Sequence, residues 1–272
     1  MNRRPATAKI NLALVVGATR PDGKHEVATI LQRIDLADRV ELRPAIRLEV
    51  RGFAEDALVR DALAALAAAA GVQPAWAATI TKRIPVAAGL GGGSSDSATA
   101  LRLANDTLAD PLPPERLTAI AARLGADVPF FLTRGPQLGE GDGTELSPLE
   151  LPQDYYVVLV LPRGQKKAST AAVYAAFDER TGAKGFRNRR AALRRALAEV
   201  ERPRDLAALP PNDLVSSPVA DELRARGAFR ADASGAGPTV YGLFTGRDDA
   251  VAARRSVRSL GKTWLTVPAW YG

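Results

Sequence analysis

The segment RIPVAAGLGGGSSDSATALRLAN, residues 83–105, places four glycines within five positions immediately before a helix-like run. Glycine weakens any helix or strand that it enters, so such a cluster is either a loose connector or a backbone shaped around a ligand. A linker is usually flanked by polar, structureless residues. Here the cluster lies between a predicted strand, residues 77–85, and apolar residues at helical spacing, which favours a ligand loop. The helical spacing is carried by Ala98, Leu101, Ala104 and Leu108.

The loop has the features of a phosphate site. Consecutive glycines let main-chain N–H groups converge on one point, and the N-terminus of a helix adds a partial positive charge there. Ser94, Ser95 and Asp96 are residue types preferred at helix N-caps, which indicates that the cap of the helix lies among them. The loop is not a Walker A loop because no lysine follows the glycines. It also fails the G-x-G-x-x-G dinucleotide pattern, because Ser94 occupies the position of the third glycine.

The composition narrows the classes of function. The 272 residues suit one large domain or two packed lobes, and 46% apolar residues suffice for a sizeable core. Cysteine is absent, which excludes disulfide and thiolate chemistry and fits a cytoplasmic protein. The single histidine, His25, argues against a multi-histidine metal site and against a Ser-His-Asp triad. The net charge of +7 favours anionic partners such as phosphates, nucleotides or nucleic acid, without choosing among them.

The sequence gives no sign of a membrane segment. No apolar run of about 18 residues is present, so we expect no transmembrane helix. The basic and then apolar start superficially resembles a secretory signal. Lys9 and Asn11 interrupt its apolar part, so we expect a mature N-terminus.

Strands and helices alternate irregularly along the chain, which predicts an α+β fold rather than a doubly wound parallel sheet. Residues 46–52 alternate apolar and charged side chains, a pattern typical of a half-exposed antiparallel strand. The proline-marked segment 146–154 is the predicted boundary between an N-terminal lobe, residues 1–152, and a C-terminal lobe, residues 153–272. Further strands are predicted at residues 9–16, 39–43, 155–162 and 239–244, and helices at residues 55–71, 113–125 and 186–203.

The loop pattern P-x3-GLG-x2-SS, residues 85–95, resembles the nucleotide loop of the GHMP kinases. Further segments similar to this family follow in the same order up to about Phe244. Together they narrow the resemblance to GHMP kinases of the non-mevalonate isoprenoid route, whose acceptor carries a diphosphocytidyl group. The segments are AKINL at residues 8–12, RPDGKHE at 20–26, LGADVPFF at 124–131, GEGDGTEL at 139–146, ND at 212–213 and SGAGPTVYGLF at 234–244.

The resemblance implies the two-lobed GHMP kinase fold, with an N-terminal lobe like ribosomal protein S5 domain 2 and a ferredoxin-like C-terminal lobe. It also implies phosphoryl transfer from ATP, accompanied by Mg²⁺, to the 2-hydroxyl of the acceptor. The resemblance assigns catalysis to Asp127 and Lys9. Asp127 would accept or orient the proton of the hydroxyl, and Lys9 would offset charge on the γ-phosphoryl group. Asn11, on the same strand face as Lys9, is expected to hydrogen-bond the acceptor, and Ser95 is the candidate Mg²⁺ ligand. The residues expected to bind ATP are Pro85, Val86, Ala87, Ala88, Gly89, Leu90, Gly91, Gly92, Gly93, Ser94 and Ser95.

The resemblance also assigns residues to the small-molecule cytidyl diphosphate substrate. In the family, the position of His25 lies against the cytosine, and the position of Tyr174 holds an aromatic ring that stacks on it. Lys24 stands where the family usually has tyrosine, and it could still make cation–π or phosphate contacts. Ala57 stands where the family usually has an asparagine near the adenine. These two departures leave open a GHMP kinase that acts on a different small alcohol.

An alternative hypothesis is a different class of protein, a non-catalytic nucleic-acid-binding protein. This hypothesis is supported by the net charge and by a basic cluster in the predicted helix 186–203. A solvated helix face is the ordinary explanation of such a cluster, and no aromatic platform for bases accompanies it. We therefore expect a small-molecule partner, no nucleic-acid or membrane partner, and a monomer or a homodimer. The cluster consists of Arg187, Arg189, Arg190, Arg194 and Arg195.

Overall fold

The computed structural model describes residues 2–53, 57–164 and 169–269, and it contains two β-sheets flanked by helices. The predicted α+β class is therefore confirmed. The last strand of the first sheet ends at Pro148 and the first strand of the second sheet begins at Tyr156. The predicted lobe boundary falls between these two strands.

The first sheet is organised around a long antiparallel hairpin in the N-terminal half of the chain. Its strands are β1 (Asn2–Thr19), β2 (His25–Pro44), β3 (Glu49–Arg51), β4 (Trp76–Thr81), β5 (Gln137–Glu140) and β6 (Glu145–Pro148). The strand order is β3-β4-β2-β5-β6, and β1 pairs with β2.

Three helices pack against this sheet and form its core. Buried apolar side chains such as Leu63, Leu101 and Phe130 fill the space between helices and strands. Burying one such side chain stabilises the fold by about 1.5–3 kcal/mol relative to leaving it exposed. The helices are α1 (Ala57–Ala70), α2 (Gly92–Asn105) and α3 (Pro114–Leu124), and a short 3₁₀ helix follows at Pro129–Leu132.

The predicted antiparallel strand at residues 46–52 is wrong in extent and direction. Only Glu49–Arg51 forms a strand, and it pairs with β4 in parallel. Helix α1 connects β3 to β4, and a helical crossover of this kind joins parallel strands. Ile46 is fully exposed and lies outside the strand. Alternating hydrophobicity reports a half-buried face, but it does not report the direction of the partner strand.

The second sheet and four helices make up the C-terminal half. All its strands pair antiparallel in the order β10-β7-β9-β8. The strands are β7 (Tyr156–Pro162), β8 (Arg230–Ala233), β9 (Val240–Phe244) and β10 (Gly261–Thr266). The helices are α4 (Thr170–Glu179), α5 (Phe186–Ala198), α6 (Pro218–Ala225) and α7 (Arg247–Ser256), with a 3₁₀ helix at Pro203–Ala208. In the described part of the chain, no helix is both long enough and apolar enough to cross a membrane.

The two halves share a hydrophobic core, and β1 is the strand that joins them. Ile10 and Leu12 of β1 are fully buried in one cluster with Leu159 and Tyr241 of the second sheet. Side chains alternate along a strand, so the neighbours of these core residues in the sequence point to the opposite face. That opposite face carries Lys9 and Asn11, and it forms part of the wall of a cleft.

Candidate active site

A cleft of about 510 Å³ lies between the lobes. Its walls come from β1, from the glycine loop, from the segment after α3 and from α4 and the turn before β9. Most of the residues predicted to act on ATP or acceptor line it. They are Lys9, Asn11, Asp127, Tyr174, every residue from Pro85 to Gly93, and Ser94.

The structure brings the two predicted catalytic residues together. Lys9 Nζ lies 3.3 Å from Asp127 Oδ2, although the residues are far apart in the sequence. The Lys9 side chain is 5% exposed, whereas the Asp127 side chain is 38% exposed. The carboxylate is therefore open to a ligand in the cleft, and the ammonium lies behind it as a fixed positive charge.

The ammonium of Lys9 is held in place by a short chain of hydrogen bonds. Lys9 Nζ donates to Asn11 Oδ1 at 2.6 Å, and Asn11 Nδ2 donates to Thr29 Oγ1 at 2.8 Å. The Thr29 hydroxyl in turn donates to Ala13 O at 2.8 Å. Asn11 thus orients Lys9, and its predicted contact with the acceptor stays a prediction. The sequence does not reveal the role of Thr29, because this role depends on the pairing of β1 with β2 and no local motif marks it.

The glycine loop is shaped by close contacts on one side and by open space on the other. Gly91 has φ of 69°, and a Cβ added there would lie 2.9 Å from Phe131 Cζ and 3.0 Å from Lys9 Cγ. A Cβ on Gly89, which also has positive φ, would collide with the main chain of Ser234. A Cβ on Gly93 would meet no protein atom within 4 Å, although Gly93 lines the cleft. The loop is therefore packed against the protein at its centre and open towards the cleft at the start of α2.

The predicted cap of helix α2 is wrong. The N-cap is Gly91 in the left-handed conformation, with no side-chain cap hydrogen bond, and the helix already begins at Gly92. Ser94 and Ser95 lie inside the first turns, where the main-chain N–H of Ser95 donates to Gly91 O at 2.9 Å. A glycine cap leaves the first N–H groups of the helix without a side-chain acceptor, so an anion in the cleft could take that place.

The fit of a divalent cation depends on oxygen atoms near the loop. No group of three or more His, Asp or Glu side chains among the described residues could hold a metal ion alone. Mg²⁺ in kinases is usually held by one or two protein oxygens together with substrate phosphates, and the cleft offers the Asp127 carboxylate and the Ser94 hydroxyl. Ser95 is 1% exposed and does not line the cleft, so its predicted metal role is less favoured than one for Ser94.

A buried charge network anchors the start of the loop. Lys82 Nζ donates to Asp38 Oδ2 at 2.5 Å and to Asp96 Oδ2 at 2.7 Å. Asp38 Oδ1 also accepts from the main-chain N–H groups of Arg83 and Ile84. Burial lowers the pKa of Lys82, but the two carboxylates outweigh it and the net pKa is raised. This network ties β2, the end of β4 and helix α2 together beside the glycine loop.

The segment that carries Asp127 rests on a buried arginine. Arg33 is 3% exposed, and its guanidinium donates to Phe130 O at 2.8 Å and Thr133 O at 2.7 Å. Its Cζ lies 5.0 Å and 5.4 Å from the ring centroids of Phe130 and Phe131. Burial, with a further contribution from Arg102, lowers the pKa of Arg33 to about 10. Arg33 therefore fixes the turn that follows Asp127.

The residues predicted to contact cytosine also cluster. The rings of His25 and Tyr174 are 4.6 Å apart between centroids, and His25 Nε2 lies 2.9 Å from Asp178 Oδ1. Burial, and secondarily the charge of Asp127, raises the pKa of Tyr174 to about 12. Tyr174 lines the same cleft as Asp127.

Lys24 does not lie free in the cleft. Its Nζ is 2.5 Å from Asp142 Oδ2, and the Asp142 carboxylate also accepts from the N–H and hydroxyl of Thr144. Burial raises the pKa of Asp142, but the hydrogen bonds from Lys24 and Thr144 outweigh it and lower the pKa to about 2. Ala57, the other departure from the family pattern, is exposed at the start of α1, next to the cleft-lining Leu58.

Three of the five arginines in the basic cluster on α5, Arg189, Arg190 and Arg194, contact residues of the N-terminal half of the chain. Arg189 Nε bonds to Asp213 Oδ2 at 3.0 Å and its Nη2 donates to Val16 O. Arg194 Nη2 contacts Glu140 of β5 at 2.7 Å. The cluster therefore has a structural role, which weakens the argument for a nucleic-acid surface on this helix.

The chain matches known proteins over almost its whole length. Residues 57–135 match the family model described as GHMP kinases N terminal domain, and residues 184–263 match the one described as GHMP kinases C terminal. A 4-diphosphocytidyl-2-C-methyl-D-erythritol kinase from Geobacter sp. (strain M21) is 39% identical over 95% of this chain and 94% of its own. The corresponding kinase from Nocardia farcinica (strain IFM 10152) is 38% identical over 94% and 89%.

Solved structures agree with these matches. A crystal structure of 4-(cytidine 5'-diphospho)-2C-methyl-D-erythritol kinase shares 32% identity and a TM-score of 0.79, covering 98% of this chain and 99% of its own. A crystal structure of mevalonate kinase, at 12% identity with a TM-score of 0.72, covers 98% of this chain and 99% of its own and shares the fold. The glycine loop, the Lys9–Asp127 pair and these matches together show that the chain belongs to the 4-diphosphocytidyl-2-C-methyl-D-erythritol kinase family of GHMP kinases.

Proposed function

We propose that this chain transfers the γ-phosphoryl group of ATP to the 2-hydroxyl of 4-diphosphocytidyl-2-C-methyl-D-erythritol, in the non-mevalonate route to isoprenoid precursors. The products are the 2-phosphate of that compound and ADP. The observation that carries the proposal is the Lys9–Asp127 contact of 3.3 Å at the wall of a cleft that the glycine loop also lines. The names of the full-length relatives supply the acceptor.

The chain binds the ATP phosphates through main-chain N–H groups of the loop and of the first turn of α2. The helix N-terminus carries a partial positive charge, and the glycine cap leaves its N–H groups open to the cleft. Gly93 offers space where any larger residue would place a Cβ. The cradle therefore holds the phosphates by geometry and dipoles rather than by a Walker lysine.

Asp127 takes the proton of the acceptor hydroxyl as the hydroxyl oxygen bonds to the γ-phosphorus. The bond between that phosphorus and the bridging β-oxygen breaks, and the electron pair leaves on ADP. Lys9 lies beside both reacting groups, where its charge offsets the negative charge of the phosphoryl group in transfer. A general base of this kind contributes about 10²–10⁴-fold to the rate.

Mg²⁺ bound with ATP would neutralise charge on the phosphate oxygens. Ser94 and Asp127 are the cleft-lining residues that would hold it, with phosphates completing its coordination. Ser95, the candidate ligand implied by the family resemblance, would need to turn out of its buried position.

The acceptor's cytosine is proposed to lie at the aromatic end of the cleft. His25 supplies a ring nitrogen, held by Asp178, and Tyr174 supplies a ring face next to the cleft. Because the two rings contact each other, the base stacks on the cleft side of Tyr174 rather than between them. This placement leaves the erythritol portion to reach Asp127.

The test is an ADP-release assay with a panel of acceptors. The panel contains the diphosphocytidyl compound, mevalonate, homoserine and galactose, each with ATP and MgCl₂. We expect turnover with the diphosphocytidyl compound and background ADP release with the other three. Faster turnover with another alcohol would show that the chain is a kinase but that the proposed acceptor is wrong. Background release with all four acceptors would reject the proposed reaction.

The remaining expectations are a cytoplasmic location, no nucleic-acid partner, and a monomer or homodimer. They stay predictions. Light scattering coupled to gel filtration measures the mass of the particle in solution against the 28.8 kDa of one chain.

A further inference from the structure

Helix α7, on the C-terminal lobe, presents a stripe of arginines to solvent. Arg247, Arg254 and Arg255 are spaced so that they share one helix face with Val251, and Arg258 lies just beyond the end of the helix at Ser256. The opposite face, with Ala250 and Ala253, is buried in the core of the lobe. The orientation of the helix is thus fixed by its apolar face, and the arginines are held outward.

These arginines surround a concave site. A groove of about 270 Å³ is lined by Arg247, Val251, Arg254, Arg255, Arg258 and Leu265, and we refer to it as the arginine groove. None of these residues lines the cleft between the lobes. Val251 and Leu265 are the apolar residues of its lining, and the other four lining residues are arginines.

No carboxylate of the described residues lines the arginine groove. In the described part of the chain, none of its four arginines forms an ion pair or a side-chain hydrogen bond. The carboxylates of the first turn of α7, Asp248 and Asp249, form no ion pair with them either. On α5, by contrast, Arg189 and Arg194 are bonded to Asp213 and Glu140. Four like charges around one groove repel each other, and this repulsion is relieved when an anion binds.

The helix dipole does not explain the whole stripe. Cations are favoured in the last turn of a helix, which accounts for Arg254 and Arg255. Arg247 lies in the first turn, where a cation is unfavourable. A ligand that contacts both ends of the groove accounts for the arginines at both ends.

We propose that the arginine groove is a second anion site, which binds a ligand carrying two adjacent phosphate groups. Guanidinium groups donate paired hydrogen bonds to phosphate oxygens, and three of the arginines that line the groove lie within five consecutive residues, 254–258. The groove is concave and small, which suits a diphosphate better than an extended nucleic-acid strand. The nearby Trp264 ring already carries Lys262 Nζ at 5.2 Å from its centroid, so it offers a poor platform for stacked bases.

Equilibrium dialysis with radiolabelled inorganic diphosphate tests the proposal on the full chain at low salt. The Arg254→Ala/Arg258→Ala variant is compared with Arg187→Ala/Arg195→Ala, which removes the same charge from exposed positions of α5. Counting bound diphosphate per chain separates the groove from the active-site cleft, because the cleft is intact in both variants. Circular dichroism and kinase turnover confirm that both variants are folded.

We expect the α7 variant to bind one diphosphate fewer per chain than the unmodified protein, through a loss of about tenfold or more in affinity at that site. The α5 control should retain the full number with affinity within about twofold. Equal losses in the two variants would mean that the effect comes from net charge alone, and this result would overturn the proposal. An equal number of bound diphosphates in the α7 variant and the unmodified protein would also overturn it. Binding of a random 20-nucleotide DNA that depends on Arg254 and Arg258, without diphosphate binding, would overturn it in favour of a nucleic-acid surface.

Discussion

Replacing Gly93 with alanine should separate ATP binding from folding. A Cβ at this position would meet no protein atom within 4 Å, so the protein itself can accept it. Gly93 is the second residue of α2, and alanine is favoured over glycine inside a helix by about 0.5–1 kcal/mol. The Gly93→Ala variant should therefore gain up to about that much free energy of unfolding.

The same methyl group should weaken the binding of ATP. It would occupy space on the cleft side of the loop, where the phosphates approach the main-chain N–H groups. Displacing one charge-assisted hydrogen bond costs about 1–3 kcal/mol, which corresponds to a rise in Kd of about 5- to 150-fold. Calorimetric titration with a non-hydrolysable ATP analogue measures this rise, and urea unfolding measures the stability.

Gly92→Ala provides the matched contrast. Its Cβ would lie 3.1 Å from Ile84 Cγ2 and 3.3 Å from Lys82 Nζ, so it would press on the protein itself and disturb the buried charge network. We expect lower stability in Gly92→Ala and higher stability in Gly93→Ala. Unchanged affinity for the ATP analogue in Gly93→Ala would refute the assignment of the loop as the phosphate cradle.

Three further predictions test the rest of the site. Asp127→Asn should lower kcat by about 10²–10⁴-fold in a folded protein, because the amide cannot accept the hydroxyl proton; near-normal turnover would remove Asp127 from catalysis. Lys24→Tyr should lower KM for the diphosphocytidyl substrate by about 2- to 12-fold, because an aromatic face on the base contributes about 0.5–1.5 kcal/mol. The value of kcat should stay unchanged, because this contact is the same in the ground state and the transition state. An unchanged KM would place the base elsewhere. Arg33→Met should lower the free energy of unfolding in urea by about 2–4 kcal/mol, because the buried carbonyls of Phe130 and Thr133 each lose a donor; a smaller loss would mean that water replaces the guanidinium.

Local sequence patterns predicted the elements that are marked by a continuous apolar run or by a glycine at a helix end. Strand β7 is a continuous apolar run, and α1 ends where Gly71 adopts φ of 67°, as the sequence indicated. Strand β8 escaped prediction because it buries charged residues. Arg230 is 6% exposed, and its guanidinium donates to the main-chain oxygens of Leu209 and Pro210, which lie outside the strand. A hydropathy pattern cannot reveal such a strand, because the partners that make the burial acceptable come from elsewhere in the chain.

The same limit applies to the site. The glycine loop is contiguous, so its strand, turn and helix can be predicted from one segment. The support of the loop is not contiguous, since Lys82 reaches Asp38 on a different strand and Arg33 reaches the turn after Asp127. Resemblance to a family placed Lys9 and Asp127 in one site, but the hydrogen bonds that orient Lys9 depend on how β1 and β2 pair.

Lys9 joins these parts of the site more directly than any motif suggests. Its main-chain N–H donates to Leu90 O at 3.0 Å, which fixes the loop to β1, while its Nζ faces Asp127. The space beside its side chain is available only because Gly91 has no Cβ. One strand residue thus sets both the position of the glycine loop and the positive charge beside Asp127. Loss of activity in a Lys9 variant would therefore combine altered loop packing with lost charge, whereas Asp127, half-open to the cleft, makes no contact among the described residues that fixes the loop to β1.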